Sequence, residues 1–543
     1  MPTANRLVLA HIWTAFAAFG VAIVLGLWQM WVRSPLAAPL SSAENYFISV
    51  TAHGSAMAYV LTTFFIMGFG YFVAESALKT PLPYRGLGWF GFILGILGTV
   101  LVVATVLTGK ATVMFTFYPP LTATPWFYLG LVMVVVGSWV WCALMLVAMA
   151  RWKKTHPGQA VPLAMYATTA NAVLWLWTTI GVAAELLLVV IPAAFGWTRA
   201  VDVGLTRTLF SWTLHAIVYF WLIPAYIAFY TMAPQAAGGR LFSDTMARIS
   251  FILFLLCGLP VGLHHLFMDP EHSSGFKMVQ MMLTVLVAVP TLLTVFTVTA
   301  SLETAGRLNG GRGLLGWVAA LPWKRPMVLA TGLSFFMLWF GGFGGLINMS
   351  YGMNAMVHNT SWVTAHFHMI FGGSVVIMYF AIAYEIWPQL TGRSPTSLAL
   401  QRAQLWLWAV GMMVLSLPWH WLGLQGQWRR VAHFDYSDPA IAWWAPWMIA
   451  SLIGGAMLVV SAAMFIGNLI TFHLKLQAAP PVRPMHYAVA LHPGARLPSA
   501  LNGFTLWNVF VLILMAAAYT YPIVQSFIIN PPHAVVHRVD RAQ

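Results

Sequence analysis

Thirteen apolar runs, each long enough to cross a bilayer as a helix, succeed one another along the chain. They lie near 8–31, 47–74, 87–108, 126–149, 161–195, 203–230, 246–268, 278–302, 327–350, 361–388, 402–423, 441–472 and 504–529. A helix needs about 20 apolar residues to span a hydrocarbon core of about 30 Å, and every run reaches that length. Polar residues collect in the connections, which are short and rich in Pro and Gly, as in Arg33 to Leu40 and Pro480 to Arg496. No repeat period, low-complexity stretch or inserted soluble domain interrupts the series. The pattern predicts an all-α polytopic membrane protein with about 13 transmembrane helices. It reads as a single transmembrane unit over 1–543, with a short tail at 531–543.

Composition agrees. With 60% hydrophobic and 7% charged residues in 543, the chain lies outside the soluble globular range. Its 27 Trp suit aromatic belts at the two membrane interfaces. The net charge of +14 is no nucleic-acid footprint, because the cations are spread through short loops. With the N-terminus placed in the cytoplasm, 17 of the 26 Lys and Arg fall on that side, Lys475, Arg483 and Arg496 among them. The positive-inside rule then gives a cytoplasmic N-terminus, and an odd number of spans gives a periplasmic C-terminus. The opening MPTANRLVLAHIW lacks a small-residue cleavage site after a short apolar core, so it reads as the start of a retained span. Cys142 and Cys257 both lie in apolar runs and offer no disulfide framework, zinc spacing or thiolate cluster.

The chemistry sits in the tenth run, at VTAHFHMIFGG (363–373). His366 and His368 are two residues apart, so on a helix their rings leave about 200° apart, on opposite faces. One helix can thus serve two groups. Imidazole inside a membrane is costly unless bound, and a metal is its usual partner. Further histidines in the runs include His53 in the second, His215 in the sixth, and His264 and His265 at the end of the seventh. The topology puts all six in the outer half of the bilayer. His156, His473, His486 and His537 lie in loops or tails and read as solvated.

In the sixth run, Tyr219 follows His215 by four residues and shares its face. Tyr226 and Tyr230 continue nearly that face, and the eighth run carries Thr291, Thr294 and Thr297, one hydroxyl per turn. Such hydroxyls can form a hydrogen-bonded chain with water. Equally, Thr can bond back to its own helix while Tyr fills space; spacing alone leaves both readings open. His264 and His265, about 100° apart on an ideal helix, could share one ion if the helix ends or loosens there. Gly258, Pro260 and Gly262 just upstream favour that. Three imidazoles with an open position suit copper, iron or zinc. His53, His366 and His368 have no carboxylate companion and no CxxCH motif, the pattern of non-covalent haem ligation.

Together these motifs resemble subunit I of the haem–copper oxygen reductases, over nearly the whole chain. The resemblance implies that His53 and His368 are the axial ligands of a low-spin haem and that His366 is the proximal ligand of a high-spin haem. It makes His215, His264 and His265 the ligands of a copper facing that haem. Tyr219 resembles the tyrosine that family members cross-link to a copper-ligand histidine. Many members carry Pro-Glu between that histidine and Val-Tyr; here the stretch is His215-Ala216-Ile217-Val218-Tyr219. The missing Glu and the thirteen runs resemble the B-type, cytochrome ba3-like enzymes. In these, one proton channel resembles the Tyr226, Tyr230, Thr291, Thr294 and Thr297 line, and its entry carboxylate belongs to subunit II.

By the same resemblance, Arg429, Arg430 and His358 bind haem propionates, with Asn354 where a related oxidase carries Asp. Glu185, an intramembrane acid, is either a proton-exit group or a structural acid. The implied cofactors are a low-spin haem of b type, a high-spin haem of a or b type, and one copper. The implied reaction is reduction of dioxygen to water, coupled to proton uptake and pumping, in a bacterial inner membrane. The implied partners are a CuA-bearing subunit II and cytochrome c as electron donor. Gly341 to Gly345, GGFGG, either lines a gas path or allows close helix packing. Two rival functions make different demands on the chain. A nitric oxide reductase with non-haem iron would want a carboxylate beside the histidines, and no Asp or Glu lies between Thr206 and Arg240. A proton- or metal-coupled transporter would show an internal repeat and broken midplane helices.

Overall fold

The computed structural model describes residues 3–37, 42–198, 200–393, 397–474, 485–492, 497–529 and 536–538. Lys475, Arg483, Arg496 and most of the tail 531–543 lie outside them. Among the described residues, twelve helices are long and apolar enough to cross a membrane. The remaining apolar run, the seventh, forms a shorter helix. It runs as an α-helix over Asp244–Gly258 and continues as a 3₁₀ turn over Gly262–Leu266. The cause is local. Pro260 has no N–H and its ring would strike the carbonyl four residues back, so the helix stops before it.

Burial ranks the helices. The second (Ala43–Leu78), sixth (Val203–Ala236) and tenth (Ser361–Thr391) are central, with 94%, 94% and 89% of their apolar windows buried. The third (Arg85–Leu107) and the last (Thr505–Ile529) are peripheral at 28% and 22%. The three central helices are those that carry His53, His215 and the His366–His368 pair.

The sixth helix begins where Asp202 accepts a hydrogen bond from the Leu205 N–H at 2.9 Å, capping an otherwise unpaired donor. Pro224 lies within it and cannot donate to the Phe220 carbonyl. The Asn171 amide, from the fifth helix, donates to that carbonyl instead at 3.2 Å. A buried asparagine thus satisfies what the proline leaves open. The tenth helix is also irregular. It is α-helical over Ser361–Phe367, π-helical over His368–Val375 and α-helical again to Thr391. His368 opens the widened stretch, a distortion frequent at functional sites.

Two connections fold back onto the bundle. Residues 109–124 dip against the second helix, where the Met114 N–H donates to Thr51 Oγ1 at 2.9 Å and the Tyr59 hydroxyl to the Phe115 carbonyl at 2.8 Å. The loop after the eleventh helix (Leu398–Leu424) returns to the start of the tenth. There the Ser361 N–H donates to the Gln427 carbonyl at 2.8 Å, and the Arg429 N–H to the Asn359 carbonyl at 3.1 Å. Strand content among the described residues is two pairs of three-residue strands, 200–202 with 536–538 and 241–243 with 490–492.

Candidate metal centres

The first centre joins the sixth and seventh runs. His215, His264 and His265 each offer a ring nitrogen, and these nitrogens lie within 4.8 Å of one another. The break before Pro260 lets both adjacent histidines face one point, as the glycines and proline led us to expect. Nε2 of His215 and Nε2 of His265 are buried without a hydrogen-bond partner. Nδ1 of His264 is engaged by the Val261 carbonyl and, at 3.2 Å, by the Thr284 hydroxyl, which leaves its Nε2 free. Buried polar atoms are normally paired, so orphaned ring nitrogens converging on one point fit a metal ion. The group contains no carboxylate. An all-imidazole set suits copper better than non-haem iron.

Tyr219 stands beside this cluster, its ring 5.0 Å from that of His215. Gly258 makes the approach possible, since a Cβ there would lie 2.9 Å from Tyr219 Cδ2. Further along the sixth helix, the Tyr230 hydroxyl donates to Thr294 Oγ1 at 2.7 Å. Tyr226 lies beside Thr291. The three threonines also bond back to their own helix, Thr294 to the Pro290 carbonyl and Thr297 to the Leu293 carbonyl among them. Back-bonding thus coexists with a tyrosine neighbour at Thr294 and Thr291, while Thr297 bonds to its own helix.

The second centre lies between the second and tenth helices. The rings of His53 and His368 face each other with centroids 6.4 Å apart and planes within 12°. Nδ1 of each is bonded to a carbonyl, Ala22 at 2.7 Å and Thr364 at 2.8 Å. These bonds fix the ring orientation and leave Nε2 of each available to a metal. One metal ion at about 2 Å from each nitrogen accounts for a spacing of that size. The pair fits the axial positions of a haem.

His366 turns away from His368, toward the ninth helix (Pro326–Met349), where its Nδ1 bonds the Gly341 carbonyl at 2.8 Å. The GGFGG stretch packs here. A Cβ on Gly344 or Gly345 would come within 3.2 Å or 3.1 Å of the His366 ring, and one on Gly341 would strike Ile370 at 2.5 Å. Close packing around the histidine therefore accounts for three of the four glycines.

At one end of these centres lie the polar groups of the loops. His358 Nδ1 is 3.2 Å from Asn354 Oδ1, and Arg429 Nε donates to Asn359 Oδ1 at 3.1 Å. Arg429 and Arg430 are half-buried neighbours. Burial, and then Arg430, pull the Arg429 guanidinium well below its ordinary range. Burial and these cations lower His358 to about 4. Crowded, partly desolvated cations of this kind call for an anion, and carboxylates on a haem edge would fit that need. Glu185 is fully buried with both oxygens unpartnered, and its electrostatic neighbours include Tyr59, Tyr118 and Tyr128.

Several residues escaped the sequence reading. Arg207 pairs with Asp269 at 2.9 Å and lies over the Tyr118 ring at 5.3 Å. Thr284 touches His264 and extends the Thr291 series back by two turns, a signal present in the spacing. His420, on the eleventh helix, packs edge-on to Trp362 at 4.8 Å, beside Gly344 and His366. His473 is a correction. It was expected to be solvated, but it closes the twelfth helix and packs against Trp13 at 5.9 Å and Trp387 at 6.2 Å.

Comparison with known proteins agrees with this geometry. Residues 6–457 match the family profile described as cytochrome c and quinol oxidase polypeptide I. The chain is 38% identical, over 495 residues, to cytochrome c oxidase subunit 1 of Thermus thermophilus, covering 90% of this chain and 88% of that protein. It is 28% identical to cytochrome c oxidase subunit 1 of Thermostichus vulcanus, covering 83% and 81%. A haem–copper terminal oxidase dimer solved by cryo-electron microscopy superposes with a TM-score of 0.94 at 30% identity, covering all of this chain and 96% of that one.

Proposed function

Because the chain belongs to the cytochrome c and quinol oxidase polypeptide I family, the catalytic subunit of haem–copper terminal oxidases, we propose how its residues divide the work. His53 and His368 hold the low-spin haem. His366 holds the high-spin haem, and His215, His264 and His265 hold copper opposite it. The observation that carries this reading is the convergence of three imidazoles, two with buried, orphaned Nε2 atoms, beside a helix whose His366 and His368 face different neighbours. The B-type reading rests on the absent channel Glu, and the 38% identity to the Thermus subunit supports it.

When bound, the haems and copper supply electron transfer and the binding and reduction of dioxygen. The protein's part is positional and protonic. The carbonyls of Ala22, Thr364 and Gly341 orient three haem-ligand rings through their Nδ1 atoms. Tyr219 holds a proton on its phenol oxygen beside His215, and a phenol can give up both a proton and an electron. Tyr230, Thr294, Tyr226 and Thr291 pass protons toward it from the cytoplasmic side, with Thr297 at the same face. Each handover requires a threonine to exchange its helix carbonyl for a neighbour. Arg429, Arg430 and His358 hold the haem propionates. Glu185, buried and unpartnered, serves proton exit. The N-terminus faces the cytoplasm and the C-terminus the periplasm of a bacterial inner membrane. A subunit II with a CuA site delivers electrons from cytochrome c, and turnover is coupled to proton translocation.

The test is Tyr219→Phe. Dioxygen uptake should vanish while both haem spectra persist. Normal uptake in that variant would remove Tyr219 from the mechanism.

A further inference from the structure

The last helix, Thr505–Ile529, is the least buried of all, yet one of its side chains reaches the metal region. Tyr519 is 1% exposed. Its hydroxyl accepts a hydrogen bond from the Gly262 N–H at 3.1 Å and lies 3.5 Å from the Ser211 carbonyl oxygen. Its ring packs on Trp212 at 4.6 Å.

Each partner is one step from a ligand. Gly262 opens the 3₁₀ turn Gly262–Leu266, which carries His264 and His265. The first N–H groups of any helical turn have no partner within it. Tyr519 supplies one from a helix more than two hundred residues away. Ser211 lies four residues before His215, so its carbonyl accepts the backbone N–H of His215 in the helical ladder. The hydroxyl thus sits between the backbone of one ligand's turn and the start of the turn that carries the other two. The fit is tight. A Cβ on Gly262 would overlap the Ser211 carbonyl oxygen and come within 2.5 Å of the Tyr519 hydroxyl, so only glycine allows this approach.

We propose that Tyr519 is a positioning residue for the copper centre, fixing the spacing of the His264–His265 turn from His215. This rests on the assignment of those three histidines to copper. Tyr519 acts through backbone and touches neither metal nor dioxygen. It gives the peripheral thirteenth helix a role in the centre, where its burial alone would suggest only lipid-facing packing.

The experiment compares the intact oxidase with Tyr519→Phe and with Tyr521→Phe, which removes a hydroxyl from an exposed position on the same helix. Two readouts are used besides activity. One is copper per haem after challenge with a copper chelator. The other is the infrared stretch of carbon monoxide bound to copper after photolysis from the haem. Loss of a partner of this kind costs roughly ten- to a hundredfold in metal affinity. Tyr519→Phe should therefore lose copper faster by that order and shift or broaden the copper–carbonyl band, with the haem spectra unchanged. Tyr521→Phe should leave both properties native. Tyr519→Phe with native copper retention and a native band overturns the proposal, as do Tyr519→Phe and Tyr521→Phe variants that lose copper equally. Should only Tyr519→Phe fail to assemble, the hydrogen bond is required, as proposed. Should both fail, the hydroxyls of this helix serve its packing and the proposal falls. Absence of copper from the wild-type protein would instead overturn the copper assignment itself.

Discussion

Gly258→Ala probes the contact that brings Tyr219 against the cluster of His215, His264 and His265. A methyl group at this position would lie 2.9 Å from Tyr219 Cδ2 and 3.1 Å from Cε2, where ordinary contact begins at 3.4 Å. The ring must retreat by roughly half an ångström, or the helix end must shift. It has little freedom, with the Phe254 ring 5.5 Å away on one side and the His215 ring 5.0 Å away on another. Overpacking of this kind costs about 1–3 kcal/mol in stability, which a protein this size tolerates. Misplacing a reacting group by about 1 Å costs about a hundredfold in rate, so half that displacement costs roughly tenfold. Dioxygen uptake by the purified enzyme, with excess reduced donor, should fall by that order. Haem content and the apparent affinity for the donor should stay unchanged, since neither depends on Tyr219. Gly467→Ala, where nothing lies within 4 Å, is the control and should leave turnover alone. Full turnover in Gly258→Ala, with haem and copper present, would refute the claim that the placement of Tyr219 matters.

Two further outcomes follow from named hydrogen bonds. Tyr230→Phe removes the 2.7 Å bond to Thr294 and should slow proton uptake roughly tenfold or more, read by a pH dye during single turnover; an unchanged rate would leave the hydroxyl line as packing. Asn171→Leu strands the Phe220 carbonyl that Pro224 cannot serve and should cost about 1–3 kcal/mol, read as a lower midpoint for thermal loss of the haem spectrum. Adding Pro224→Ala, which restores a donor to that carbonyl, should recover the loss; no recovery would mean that Asn171 acts elsewhere.

The parts of this protein legible in its sequence are those with strong local signals. Length and apolarity located the spans, because a bilayer forces both. The histidines stood out because an imidazole in lipid needs a reason. Their grouping was readable too, since the HxH spacing separates two rings and Pro260 with its glycines breaks the seventh helix. That same break was legible as a loosening, but not as the point where the α-helix stops, because apolar residues continue through it. What the sequence hid are contacts between distant segments. Arg207 looks like any interfacial cation until Asp269 and Tyr118 are placed against it. His473 looked solvated because the aromatic pair that covers it comes from the first and tenth helices. Tyr519 carries no motif, and its importance depends on Gly262 lying against it.

The central claim, that six histidines hold two haems and a copper, is tested most directly by haem and metal content. Purified protein analysed by pyridine haemochrome and elemental analysis should contain two haems and one copper per chain, with no iron beyond that of the haems. A third iron without copper would move the reaction to nitric oxide reduction, and absence of haem would contradict the assignment of His53, His366 and His368 altogether.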